Sequence, residues 1–155
     1  MYERILVPTD GSNVAESAVI HAVNLGETYG AEIHALYVAD TDAIAYSLGT
    51  EQVDRVRQGN FDGMSELQEK AEAATGYVAD LAGEHGLNAV ERHRGGQPHD
   101  TIADYAEDND IDLIVMGSHG RSGVRRALLG SVTERTLRST HVPVLVVDAR
   151  EIDEE

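Results

Sequence analysis

The chain has 155 residues, 41% of them hydrophobic, no cysteine, and a formal net charge of −16 at pH 7. That length suits one well-buried core and not two, and the lack of cysteine excludes disulfides and thiolate metal sites. So acidic a surface repels phosphate over most of its area, which excludes non-specific binding to nucleic acid or an anionic membrane.

MYERILVPTDGS at the start lacks the charged and apolar regions of a secretory signal, and no apolar run approaches the ~20 residues of a membrane span. The expectation is a soluble cytoplasmic protein. RILVP (4–8) is a short β-branched run closed by Pro8, as in a buried parallel strand. From Ser12 onward Ala15, Ala18, Val19, Ala22 and Val23 recur at helical spacing, and Gly30 supplies the stop. AEIHALYV (31–38) alternates as a second strand. Residues 39–62 show no clean period and contain Gly49 and Gly59, with Gly63 just beyond, so they read as a flexible connection. Leu67, Ala71, Ala74, Val78 and Leu81 then mark a long helix ending near Gly86.

LNAVERHR (87–94) is a third strand, and Pro98 opens a helix carrying Ile102, Ala103 and Tyr105. IDLIVMG (111–117) is the most apolar strand, residues 131–139 form a further helix, and VPVLVV (142–147) is the fifth strand. The expected organisation is one domain over residues 1–148 followed by a solvated acidic tail, 149–155. Strands alternating with helices predict an α/β fold, an open parallel sheet covered on both faces. Right-handed crossovers leave few arrangements; if strands 1 to 3 wind one way and strands 4 and 5 the other, the order is 3-2-1-4-5, with a switch point between strands 1 and 4, where ligands of such sheets bind.

The carboxyl ends of those two strands carry PTDGS (8–12) and GSHG (117–120). The stretch from 117 to 133, GSHGRSGVRRALLGSVT, gathers glycines, hydroxyls and arginines in an otherwise acidic chain. Gly117 and Gly120 let backbone N–H groups approach a ligand, and Gly130, Ser131, Val132 and Thr133 open a helix whose N-terminus favours an anion. The hydroxyls of Ser131 and Thr133 can add donors to phosphate. Taken singly, these residues read as a glycine turn and a Ser131 N-cap; their joint placement at a switch point reads as phosphate binding.

Asp10 can accept from an adenine amine or a ribose hydroxyl, hold a metal through water, or cap the first helix. Val38 can pack on a base or belong to the core. Arg121, Arg125 and Arg126 can contact phosphates or remain solvated. The only lysine, Lys70, is remote from the loop, so this is no Walker P-loop, and no G-x-G-x-x-G follows the first strand. Ser118, His119 and Asp10 are not expected to form a catalytic triad: no G-x-S-x-G frames the serine, and adjacent Ser and His rarely meet as nucleophile and base. His85, His93 and His99 lack metal-ligand spacing.

The spacing Gly117-x2-Gly120-x9-Gly130-Ser131 closely resembles the nucleotide motif of the ATP-binding branch of the universal stress protein (UspA) family, and RILVPTDGS and HVPVLVV resemble its first and last strands. The resemblance spans nearly the whole chain and leaves out residues 40–62. It implies a Rossmann-like fold of the adenine nucleotide alpha hydrolase-like kind. Pro8, Thr9 and Asp10 would border adenosine, with Val38 on the adenine. Met116, Gly117, Gly120 and Arg121 would line the nucleotide, with Gly130, Ser131, Val132 and Thr133 at the phosphates. The expected cofactor is ATP with Mg²⁺ or Mn²⁺ carried on its phosphates, and no metal site made by the protein alone.

The family pairs through its last strand, so a homodimer through Val142–Val147 is expected. No residue stands out as a general base, which favours a nucleotide-dependent stress-response module over a slow ATPase or a ligand-free dimerisation module. The charge fits a high-salt cytosol, as in a halophilic archaeon, where a Debye length of ~3 Å at about 1 M salt removes most self-repulsion.

Overall fold

The computed structural model describes residues 1–44, 48–119 and 129–148. In chain order these form β1 (Arg4–Pro8), α1 (Asn13–Tyr29), β2 (Glu32–Asp40), α2 (Thr41–Ile44), α3 (Thr50–Arg57) and α4 (Ser65–Glu84). β3 (Ala89–Gly96), α5 (Pro98–Asp108), β4 (Leu113–Gly117), α6 (Ser131–Ser139) and β5 (Val144–Val147) follow. The strands make one parallel sheet in the order β3-β2-β1-β4-β5, as expected.

Alternation along the strands sends side chains to two cores. Ile5, Val7, Ile33, Ala35, Leu113 and Val115 face α1 and α4, where they meet Ala18, Val19, Ala22, Val23 and Val78. Leu6, Leu36, Ile114 and Met116 face the other way and meet Ile102, Tyr105 and Ala106 of α5. The strands are therefore apolar on both faces, as helices on both sides of a sheet require.

Local signals set the helix ends. Ser12 caps α1, its hydroxyl accepting from the Ala15 N–H at 3.2 Å. Gly30 closes it in the left-handed conformation at φ 69°. Pro98 is the first residue of α5, where its missing N–H costs nothing.

Two sequence expectations need correction. Residues 39–62 hold the end of β2 and two helices, α2 and α3, in place of a flexible connection. A small core of Ala39, Val56, Phe61 and Ala71 holds this segment down. Glycines replace periodicity as its fastening: a Cβ on Gly95 would lie 2.6 Å from the Val56 carbonyl oxygen, and one on Gly59 would lie 2.1 Å from that of His93. Phe61 stacks on His93 at 5.7 Å between ring centres. The buried Thr75 hydroxyl lies 3.2 Å from His93 Nε2 and 2.9 Å from a Glu91 oxygen.

Strand limits also shift. β2 runs to Asp40, two residues beyond the alternating run, and β3 spans Ala89–Gly96 against an expected 87–94. β5 begins at Val144 and excludes Val142 and Pro143. Pro143 has no N–H to give the ladder, although its carbonyl accepts from the Ile114 N–H at 2.9 Å. The acidic tail expected over 149–155 lies outside the described residues.

Candidate functional site: a crevice at the switch point

The central ladder is short on one side. β1 pairs with β2 from Arg4↔Glu32 through Pro8↔Leu36, whereas β1 pairs with β4 only at Ile5↔Leu113 and Leu6↔Ile114. Beyond that point each strand keeps its outer neighbour. The Thr9 N–H donates to the Leu36 carbonyl at 2.9 Å, and the Ser118 N–H donates to that of Val147 at 2.8 Å. The sheet therefore parts between β1 and β4 at its carboxyl edge, and a cavity of about 230 Å³ occupies the gap.

Most of the expected site residues meet there. Pro8, Thr9 and Asp10 line the cavity from the end of β1, Val38 from β2, Met116 and Gly117 from β4, and Val132 and Thr133 from α6. Gly130 is the N-cap of α6 and Ser131 its first residue, so the structure corrects the reading of Ser131 as a cap. Among the described residues no side chain caps this helix, in contrast to α1. Its first N–H groups and dipole favour an anion at the cavity's β4 side. Gly120, Arg121, Arg125 and Arg126 lie outside the described residues.

Several roles differ from those the sequence suggests. Gly117 lacks a Cβ for packing: one built there would stand 2.5 Å from Val14 Cγ1, so glycine lets α1 approach β4. A Cβ on Gly130 would lie 3.0 Å from the His119 Cα, and the Gly130 N–H donates to the Ser118 carbonyl at 2.8 Å. Neither glycine takes a positive φ, so close approach and not a left-handed backbone explains both. The Thr133 hydroxyl, expected as a phosphate donor, is buried and donates to the Gly117 carbonyl at 2.9 Å. It fastens α6 to the end of β4, leaving its backbone N–H as the group for a ligand.

Asp10 does not cap α1, since Ser12 does; its Oδ1 accepts from the Ser12 N–H at 2.9 Å in a tight turn. Gly11, at φ 80°, completes that turn. Ser118 Oγ and His119 Nδ1 do meet, at 3.1 Å, against expectation. β4 ends at Gly117, so consecutive side chains past it no longer alternate between faces. Ser118 is nonetheless buried and sits outside any nucleophile-elbow motif.

Sequence alone does not single out five of the lining residues as ligand-binding: Ala15, Asp40, Pro98, Ile102 and His119. Asp40 is the most informative, because an acidic residue ending the strand next to β1 is a recognisable signal once β2 is known to extend that far. The cavity is thus apolar on its walls, carboxylate-bearing on the β1–β2 side and anion-attracting on the α6 side. Among the described residues, no group of three or more His, Cys, Asp or Glu could hold a metal ion. No described helix is long and apolar enough to cross a membrane.

Comparison with known proteins gives this geometry a context. The sequence matches the Universal stress protein family over residues 1–148. It is 38% identical to Universal stress protein MJ0531 of Methanocaldococcus jannaschii over 148 residues, covering 95% of this chain and 82% of that one. The solved structure of MJ0577, from the same organism, superposes with a TM-score of 0.76 at 32% identity, covering 96% of this chain and 97% of that one. A universal stress protein in complex with cAMP shares the fold at a TM-score of 0.66 and 24% identity, covering 95% and 97% of the two chains. The chain belongs to the universal stress protein family.

Proposed function

We propose that this protein binds an adenine nucleotide, ATP with Mg²⁺ or Mn²⁺, in the crevice between β1 and β4, and acts as a nucleotide-dependent module of the stress response. One observation carries the reading: an apolar cavity at the sheet's switch point is bordered by a helix N-terminus that no described side chain caps. The base fits the apolar wall of Val38, Pro98, Ile102 and Met116. Phosphates fit the first turn of α6, where Val132 and Thr133 reach the cavity. A metal would ride on the phosphate oxygens. That a universal stress protein of this fold has been solved with cAMP supports the nucleotide class without choosing the nucleotide.

Two further parts of the proposal concern setting. A homodimer would cover the edge strand β5, and the charge of −16 suits a high-salt cytosol. Slow hydrolysis is the second reading, favoured by His119 lining the cavity while bonded to Ser118. Mass spectrometry of nucleotide carried through purification, calorimetry with ATP, and a turnover assay test these readings in order. ATP binding without turnover is the expected outcome; failure of ATP, ADP and AMP all to bind would overturn the nucleotide reading.

A further inference from the structure

We propose that Asp40 sets the specificity of the crevice: it accepts from a ribose hydroxyl and excludes nucleotides bearing a phosphate monoester on the 2′ or 3′ oxygen. The inference rests on the nucleotide-binding reading and deepens it. Asp40 is the last residue of β2 and lines the cavity two residues beyond Val38. An acidic side chain at the end of a strand beside a switch point is placed to reach a nucleotide's sugar.

The polarity of the cavity decides which part of the ligand Asp40 meets. The N-terminus of α6 attracts the 5′ phosphates to the β4 side. The nucleoside is left to the β1–β2 side, with its base on the apolar wall and its sugar against Asp10 and Asp40. A carboxylate only accepts, so hydroxyl donors suit it. A phosphate monoester in the same place has negative charge and offers no donor to offset it.

Asp40 is also held. Its Oδ1 accepts from the Asp42 N–H at 3.0 Å, and Asp42 Oδ2 accepts from Gln97 Nε2 at 3.1 Å. Gln97 is the N-cap of α5, whose Pro98 and Ile102 form part of the apolar wall. The carboxylate and the base-binding wall are therefore tied by two hydrogen bonds, and a sugar between them meets Asp40 in a fixed relation. Because Asp40 is exposed, the exclusion is electrostatic and weakens with salt.

The test is calorimetry at about 0.1 M salt with ADP, adenosine 3′,5′-bisphosphate and adenosine 2′,5′-bisphosphate, on the wild type and Asp40→Asn. All three ligands carry two phosphates, but near neutral pH each bisphosphate bears about one more negative charge than ADP, so the overall acidic field also favours ADP. The change in ratio on Asp40→Asn is what reads the contribution of Asp40. Asparagine keeps the oxygen that accepts from Asp42 and removes the charge. Wild type should bind ADP about tenfold more tightly than either bisphosphate, a ratio equivalent to about 1.4 kcal/mol. Asp40→Asn should bring that ratio to about threefold or less. Equal affinities in the wild type, or an unchanged ratio in the variant, would overturn the role of Asp40 and leave nucleotide binding standing. Failure of ADP to bind wild type would instead overturn both.

Discussion

Gly117 shows how a single missing carbon can serve packing at a ligand site. Adding a Cβ drives it to 2.5 Å from Val14 Cγ1 and 3.2 Å from the Val14 backbone, so the start of α1 must move. Gly117→Ala should cost about 1–3 kcal/mol, the usual penalty for overpacking, measurable as a lower urea midpoint with an unchanged slope. His93 makes the opposite kind of test. Burial, the largest influence, holds its imidazole below the ordinary value, outweighing the opposing pull of Glu72 and Glu91. The unfolded chain therefore takes up this proton first, and His93's contribution to stability is lost as pH falls from about 6.5. His93→Gln should flatten the fall in melting temperature between about pH 7 and 5; an identical pH profile would show that His93 has no part in it. Neither role is visible in sequence, because Val14 meets Gly117, and Thr75 and Phe61 meet His93, only after the chain has folded.

At the scale of elements, the ends of α1 and α5 are readable because their signals are local. Ser12, Gly30 and Pro98 act on backbone groups within a turn of themselves. α3 has a weaker local signal, the Gln52 side chain accepting from the Gly49 N–H at 3.3 Å; its one buried residue is Val56, and what docks it is the close backbone approach at Gly59 and Gly95. The same limit hides Asp40, whose importance depends on β2 lying beside β1 and reaching two residues past its alternating run. At the start of α6, Val132 lines the cavity and Gly130 is the N-cap, yet the Thr133 hydroxyl that the sequence suggests for phosphate instead joins α6 to Gly117. Among the described residues the outer edge of β5 has no neighbour in the sheet, and Leu145 on it is 37% exposed. A paired copy would satisfy that edge. Leu145→Lys should shift the protein toward monomer in light scattering while preserving its circular dichroism spectrum. A monomeric wild type would rule out the pairing.

For the whole molecule, charge is the dominant variable. Twenty-eight acidic residues face twelve basic ones in the chain, and at ~0.01 M salt a Debye length of about 30 Å lets carboxylates across the domain repel one another. Melting temperature should therefore rise between low and molar KCl. A flat or falling series would exclude adaptation to high salt. Nucleotide affinity responds to two opposed effects, since salt screens the repulsive field as well as the attraction to α6. In the proposed site the α6 contacts would be short-range backbone hydrogen bonds, so screening should remove more repulsion than attraction up to about 1 M.

The parting of β1 from β4 also bears on how the molecule opens and closes in time. Arg4 and Asp112 are 108 residues apart, and the two hydrogen bonds between them, with two paired positions beyond, join the halves of the sheet. Closing so long a loop is slow, so the seam is expected to form late in folding. A nucleotide bound as proposed would touch both halves, so it would gain its full contacts only after the seam has closed. Ligand should then leave the refolding rate nearly unchanged and slow unfolding in proportion to its binding energy. Stopped-flow chevrons with and without ATP would show one limb displaced and the other superimposed. Bound nucleotide would then work as a kinetic latch, lengthening the life of the folded state without hastening its formation.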